Sequence, residues 1–109
     1  MPDLFLIFVA TVTLTSYQPI AKQTDNSPTW TSIGDRTTRY GCAVSQDMLR
    51  DGRVKYGDHL YIQGFGIRVV NDCMNKRYYN HVDLLVNTYQ EEHRIGTRKK
   101  IQVWKVRIQ

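Results

Sequence analysis

Two aspartates, Asp72 and Asp83, each lie toward the polar end of a strand-like run. The first run is Gly64-Phe65-Gly66-Ile67-Arg68-Val69-Val70-Asn71-Asp72 and the second is His81-Val82-Asp83-Leu84-Leu85-Val86. One short connection between them can bring both carboxyl groups to the same rim of a small β-domain. Two neighbouring carboxyls in unequal surroundings are the equipment for breaking a glycosidic bond. The plainer reading of an Asp at a strand end is a turn former or a surface charge. In a strand, His81, Asp83 and Leu85 point to one side. Leu85 then supplies an apolar neighbour that desolvates Asp83, and Asp72 supplies a like charge. Both effects raise a carboxyl pKa, which makes Asp83 the candidate general acid/base and Asp72 its supporting carboxylate.

His81 shares that face. It can hydrogen-bond Asp83, or join it and a cysteine around a metal, but the spacing carries no known metal-site signature. No metal and no cofactor is expected. Tyr78 and Tyr79 lie between the aspartates, and Trp30 lies in a long polar segment. Each can stack on a sugar ring or pack beneath its own loop.

The elements that must hold these residues read as short strands. Ile7 to Ser16 is rich in Thr, Val, Ile and Leu. Gln18 to Arg39 is rich in Pro, Asn, Ser, Thr and Asp, and is expected to be a long ordered loop. Tyr40–Ser45, His59–Gln63, Phe65–Asp72 and Val82–Asn87 are further strands, with Gly64 and Gly66 marking a bulge. Asp47 to Gly52 reads as one helical turn. Thr88 is placed to N-cap a helix over Tyr89–Ile95, with Glu91 at the capping-box position and Gly96 as the stop. Lys100–Ile108 closes the chain, with Gln102, Trp104, Val106 and Ile108 on one face and Ile101 and Val103 on the other. The pattern predicts an all-β, six-stranded barrel with one or two short helices.

A length of 109 residues fits one domain, without room for a separate substrate domain. Seven tyrosines suit both strand packing and sugar stacking. The formal net charge of +5 attracts polyanions. However, the basic residues are dispersed apart from Arg98-Lys99-Lys100, which reads as a solvated strand edge. No nucleic-acid-binding signature accompanies them, so nucleic acid is not expected as a partner. Cys42 and Cys73 are too few for a zinc finger and are either buried thiols or, in an oxidising compartment, one disulfide. The apolar start, Leu4 to Ala10, lacks a basic leader and is too short to span a bilayer. Residues 1–10 are therefore read as an N-terminal extension or atypical export signal, and residues 11–109 as the domain.

The order of several fragments resembles the 3D domain family, named for its three aspartates and related to the double-psi β-barrel of membrane-bound lytic transglycosylase A. The resemblance covers roughly Thr11 to Val106. Its residues are Thr15-Ser16-Tyr17, Asp25-Asn26-Ser27-Pro28 with Thr31-Ser32-Ile33-Gly34, Cys42-Ala43-Val44-Ser45, Tyr56-Gly57-Asp58, Tyr61-Ile62, Gly64-Phe65-Gly66, Asp72, Asp83 and Gly96. Asp72 and Asp83 match the first two family aspartates, and the third position falls on Glu92. The usual glycine-rich stretch is replaced by Cys73-Met74-Asn75-Lys76-Arg77-Tyr78-Tyr79-Asn80. The resemblance implies a double-psi barrel that cleaves the MurNAc–GlcNAc bond of peptidoglycan without water, forming a 1,6-anhydro sugar. It implies Asp83 as acid/base and glycan strands as partner; a monomer is expected, in a cell-envelope setting, or in the periplasm or outside the cell if exported, bacterial or phage-borne. A non-catalytic glycan-binding barrel is the alternative, favoured by the altered loop and the missing second domain.

Overall fold

A computed structural model describes residues 3–18 and 40–108. Trp30, most of the long loop expected over Gln18–Arg39, and the fragments between Asp25 and Gly34 lie outside the described residues. The elements are β1 (Leu4–Tyr17), β2 (Gly41–Val44), α1 (Gln46–Arg50), β3 (His59–Ile62), β4 (Gly66–Cys73), β5 (His81–Leu85), α2 (Tyr89–Ile95) and β6 (Arg98–Ile108). The strands close into a barrel in the order β1-β5-β2-β4-β3-β6. The chain is thus mainly β with two short helices among its described residues, as its strand-and-turn pattern predicts. The β1–β5 and β2–β4 pairs are parallel and the others antiparallel. Parallel pairs need crossover connections rather than hairpins, so residues distant in sequence become neighbours on one wall.

Strand alternation sorts the side chains. Val12 and Leu14 of β1, Cys42 and Val44 of β2, Leu60 and Ile62 of β3, Val70 of β4, Val82 and Leu84 of β5 and Val103 of β6 fill the interior. Met48 of α1, Ile95 of α2 and Val54 belong to the same buried core. This places the odd-numbered residues of β5 outside, and with them Asp83. Both cysteines are free thiols, Cys42 buried and Cys73 half-buried. Burial pushes the Cys42 thiol up to about 12, so it stays protonated as an apolar filler.

Several boundaries differ from expectation. β1 begins at Leu4, within the segment read as an extension, because Leu4 to Phe8 pair with Ile108 to Trp104 of β6. Gly64 and Gly66 form the β3–β4 hairpin turn rather than a bulge. Both have positive φ, and the Phe65 N–H closes the turn on the Ile62 carbonyl at 2.9 Å. Register shifts lie instead in β1 against β6, at Phe8/Ala10 and at Val12/Leu14, and between Cys42 and Ala43 of β2 against β4, where the shift brings Asp72 rather than Asn71 opposite Ala43. The Thr88 cap forms as expected, its hydroxyl accepting from the Glu91 N–H at 3.1 Å. No described helix is long and apolar enough to cross a membrane.

Candidate functional site

The two aspartates come to one wall of the barrel. In the sheet register Thr15 pairs with Asp83, Asp83 with Ala43, and Ala43 with Asp72. Residues paired across strands share a face, so Thr15, Asp83, Ala43 and Asp72 form one transverse row on the outer surface. Alanine is the small residue between the two acids, and it is buried beneath the side chains that cover β2. Tyr17, Leu85 and Ala43 are buried together on this outer face, with Met74 packed against them. The site is therefore an apolar patch built outside the barrel, carrying acidic side chains at its margin.

Asp83 is half-buried in that patch. Burial is the first cause that lifts its carboxyl from the ordinary 3.8 to about 6. The hydrogen bond from the Thr15 hydroxyl opposes this at 2.9 Å, and the charges of Glu92 and Asp72 add to it. Asp72 is likewise half-buried, and its Oδ1 accepts the Cys73 N–H at 2.9 Å. Glu92 comes from α2 and accepts from the Gln18 side-chain amide at 2.9 Å. Carboxyl side chains of β4 and α2, Asp72 and Glu92, therefore both act on Asp83 of β5. Tyr17 feels both aspartates: burial first, then Asp72 and Asp83, hold its phenol well above its ordinary value. It is a neutral hydroxyl beside acids.

His81 is buried, with Nε2 2.8 Å from the Thr15 hydroxyl. Burial lowers its pKa, so the neutral imidazole is favoured. Among the described residues no cluster of three His, Cys, Asp or Glu side chains gathers as a metal site. Tyr78 packs edge-on against the His81 ring, 5.0 Å between centroids, and its hydroxyl accepts from Arg77 at 2.9 Å. Tyr79 points into solvent at 66% exposure. The connecting loop therefore brings Tyr78 to the site wall and leaves Tyr79 outside it.

The entry to β5 is pinned from below. The Ser45 hydroxyl accepts the His81 N–H at 3.0 Å, and the Ser45 N–H donates to the His81 carbonyl at 2.9 Å. Asp47 Oδ2 accepts from the Asn80 N–H and from Arg53, both at 3.1 Å. Burial works against the Asp47 charge, but the Ser45 hydroxyl, the Asn80 N–H and Arg53 together hold its carboxyl below the usual range. Arg53 also donates to the Asn80 side chain at 2.7 Å. Asn80 itself has a φ of 44°, a left-handed conformation that Asn tolerates better than most residues.

Thr15 and Tyr17 were not singled out as site residues by spacing. The signal available was alternation: Val12 and Leu14 face inward, so Thr13, Thr15 and Tyr17 must face out. Which outer strand they would join depends on the parallel β1–β5 pairing, which local sequence does not encode. Comparison with protein-family models finds no match for this chain, and a search of curated proteins finds none either.

Proposed function

We propose that this barrel cleaves peptidoglycan glycan strands as a lytic transglycosylase of minimal size, with Asp83 as general acid and then general base. The observation that carries this reading is a half-buried carboxyl raised to about 6, with Asp72 and Glu92 acting on it. A catalytic acid must hold its proton near the working pH, and burial beside other carboxylates achieves this. The resemblance to the 3D domain family supplies the substrate class, and the approach of Asp72 from β4 and Glu92 from α2 to Asp83 supports it.

In this mechanism protonated Asp83 gives its proton to the glycosidic oxygen as the C1–O bond breaks. Positive charge develops at C1 of the MurNAc ring, where the Asp72 carboxylate stabilises it. The C6 hydroxyl of the same sugar then attacks C1, and Asp83 accepts the released proton. The products are a 1,6-anhydro end and a free 4-hydroxyl, with Asp83 restored. Burial, with like-charge repulsion from Glu92 and Asp72 added, keeps Asp83 protonated, and Tyr78, packed against His81, offers a ring for stacking. Such a role places the protein at the cell wall, reached in a bacterial or phage context.

Purified sacculi incubated with the protein should release anhydro-muropeptides, and Asp83→Asn should lower the yield by about 10²–10⁴-fold while the barrel persists. Unchanged anhydro product from Asp83→Asn would defeat the assignment. The second reading, a non-catalytic glycan-binding barrel, is favoured by the half-exposed ring pair Tyr61 and Trp104 on the outer face of β3 and β6, 5.9 Å between centroids. Co-sedimentation with sacculi without anhydro product would support it instead.

A further inference from the structure

The Thr15 hydroxyl stands between two partners, Asp83 Oδ1 at 2.9 Å and His81 Nε2 at 2.8 Å. A hydroxyl carries one proton and two lone pairs. It can therefore donate to only one of these partners and must accept from the other. The carboxylate has no proton to give, and a hydrogen bond to an ionised oxygen is roughly twice as strong as a neutral one. Thr15 thus donates to Asp83 Oδ1, and its lone pair is left for His81. That contact requires a proton on Nε2.

We propose that His81 is a positioning residue for Asp83, acting through Thr15: its Nε2–H fixes the Thr15 proton on Oδ1 and so leaves Oδ2 as the oxygen that carries the acid proton. The catalytic part rests on the acid/base reading of Asp83. The order of the hydrogen bonds does not. With Oδ1 already accepting, a proton arriving at Asp83 goes to Oδ2, where it is not consumed by Thr15 and can be given to a bound sugar. The opposite order, with Oδ1–H donating to Thr15 and Thr15 to a bare Nε2, would hold the proton against β1 and disarm the acid. The backbone clamp of Ser45 on His81 holds the ring's strand in register with Thr15, which pairs with Asp83.

The charged and titratable groups around the chain of bonds come from every neighbouring element. Glu92 of α2, Asp72 of β4 and Tyr17 of β1 act on Asp83 or share its patch. Cys42 of β2 feels both Asp83 and Arg68. Tyr78, held by Arg77, faces His81. None of these groups stands in the Thr15–His81 contact, whose direction is set by the two hydrogen bonds alone.

Nitrogen NMR of the histidine rings tests the bond order in the unaltered protein. His81 is identified by the signal that disappears in His81→Gln. The neutral ring is expected as the Nε2–H tautomer on both sides of the Asp83 titration, followed by carboxyl carbon NMR. Removing the Thr15 donor in Thr15→Val should move that titration upward by about one pH unit, since a hydrogen bond to the charged form is lost. His81→Ala should move it in the same direction by less. His81→Gln, which keeps an N–H donor, should restore it. On sacculi, His81→Ala should lose about 10- to 100-fold in turnover and His81→Gln should recover most of it. A Nδ1–H tautomer, or an Asp83 titration unmoved in both Thr15→Val and His81→Ala, overturns the proposal. Wild-type protein that releases no anhydro product defeats the acid/base reading instead, and the NMR result still decides the order of the bonds.

Discussion

A single carboxyl sets the balance between stability and chemistry at the residue scale. Asp83 is raised to about 6 in the fold, above the usual value near 3.8. A carboxyl raised on folding favours the folded state while it is protonated. Its contribution is full below about pH 4 and is lost as pH climbs through about 6, a swing of roughly 2–3 kcal/mol. Asp83→Asn removes that swing. Thermal unfolding should therefore show the variant more stable than wild type at pH 8, with the difference shrinking toward pH 4. A variant less stable than wild type at pH 8 would mean that Asp83 is ionised there without penalty. Glycan cleavage should fall over the same interval, because the acid form disappears as pH rises through about 6. Of these residues, Asp72, Asp83 and Glu92 were legible from spacing and resemblance. Thr15 and Tyr17 were not, because their role comes from a strand pairing across more than sixty residues of chain.

At the scale of elements, the site depends on how β5 is started. Asn80 is the hinge between the polar loop and the strand, left-handed and held by Asp47 and Arg53. Asn80→Ala should cost about 1–2 kcal/mol, from backbone strain and the lost Arg53 contact. Asn80→Gly should cost less, since glycine takes the conformation freely. Chemical denaturation separates the two, and equal losses would show that backbone conformation is not the issue. The α2 cap and stop were readable because Thr88 and Gly96 act through their nearest neighbours in the chain. The register shift in β2 was not. It is coupled to Gly41, where a Cβ would lie 2.7 Å from the buried Asn71 side chain. The glycine makes room for Asn71, and the offset that follows brings Asp72 level with Ala43. A glycine beside a strand discloses neither its neighbour nor the direction of the shift.

Across the whole molecule, the barrel carries two contrasting rows of side chains on different parts of its outer surface. The acidic row lies over β1, β5, β2 and β4, while a row of outward rings and aliphatics, Phe8, Trp104, Tyr61 and Ile67, crosses β1, β6, β3 and β4. Composition and alternation were enough to predict a closed sheet, because six short runs with turn signals between them have few other ways to bury their apolar faces. They did not show how far β1 would run. Leu4 was read as part of an extension, yet its partner in β6 is Ile108, and the two together lengthen the sheet beyond the barrel mouth.

That lengthened pair leaves one side of β1 from Leu4 to Val12 without a hydrogen-bonded strand among the described residues. Leu4, Leu6 and Phe8 along it are more than half exposed. An open apolar border of this kind is a template on which another molecule can continue the ladder. Storage and assay behaviour should then depend on concentration: sedimentation velocity should reveal growing species as the sample is concentrated. Leu6→Lys, which puts a charge on the free border, should keep the sample monodisperse with its circular dichroism unchanged. Growth undiminished by the lysine would place the sticky surface elsewhere.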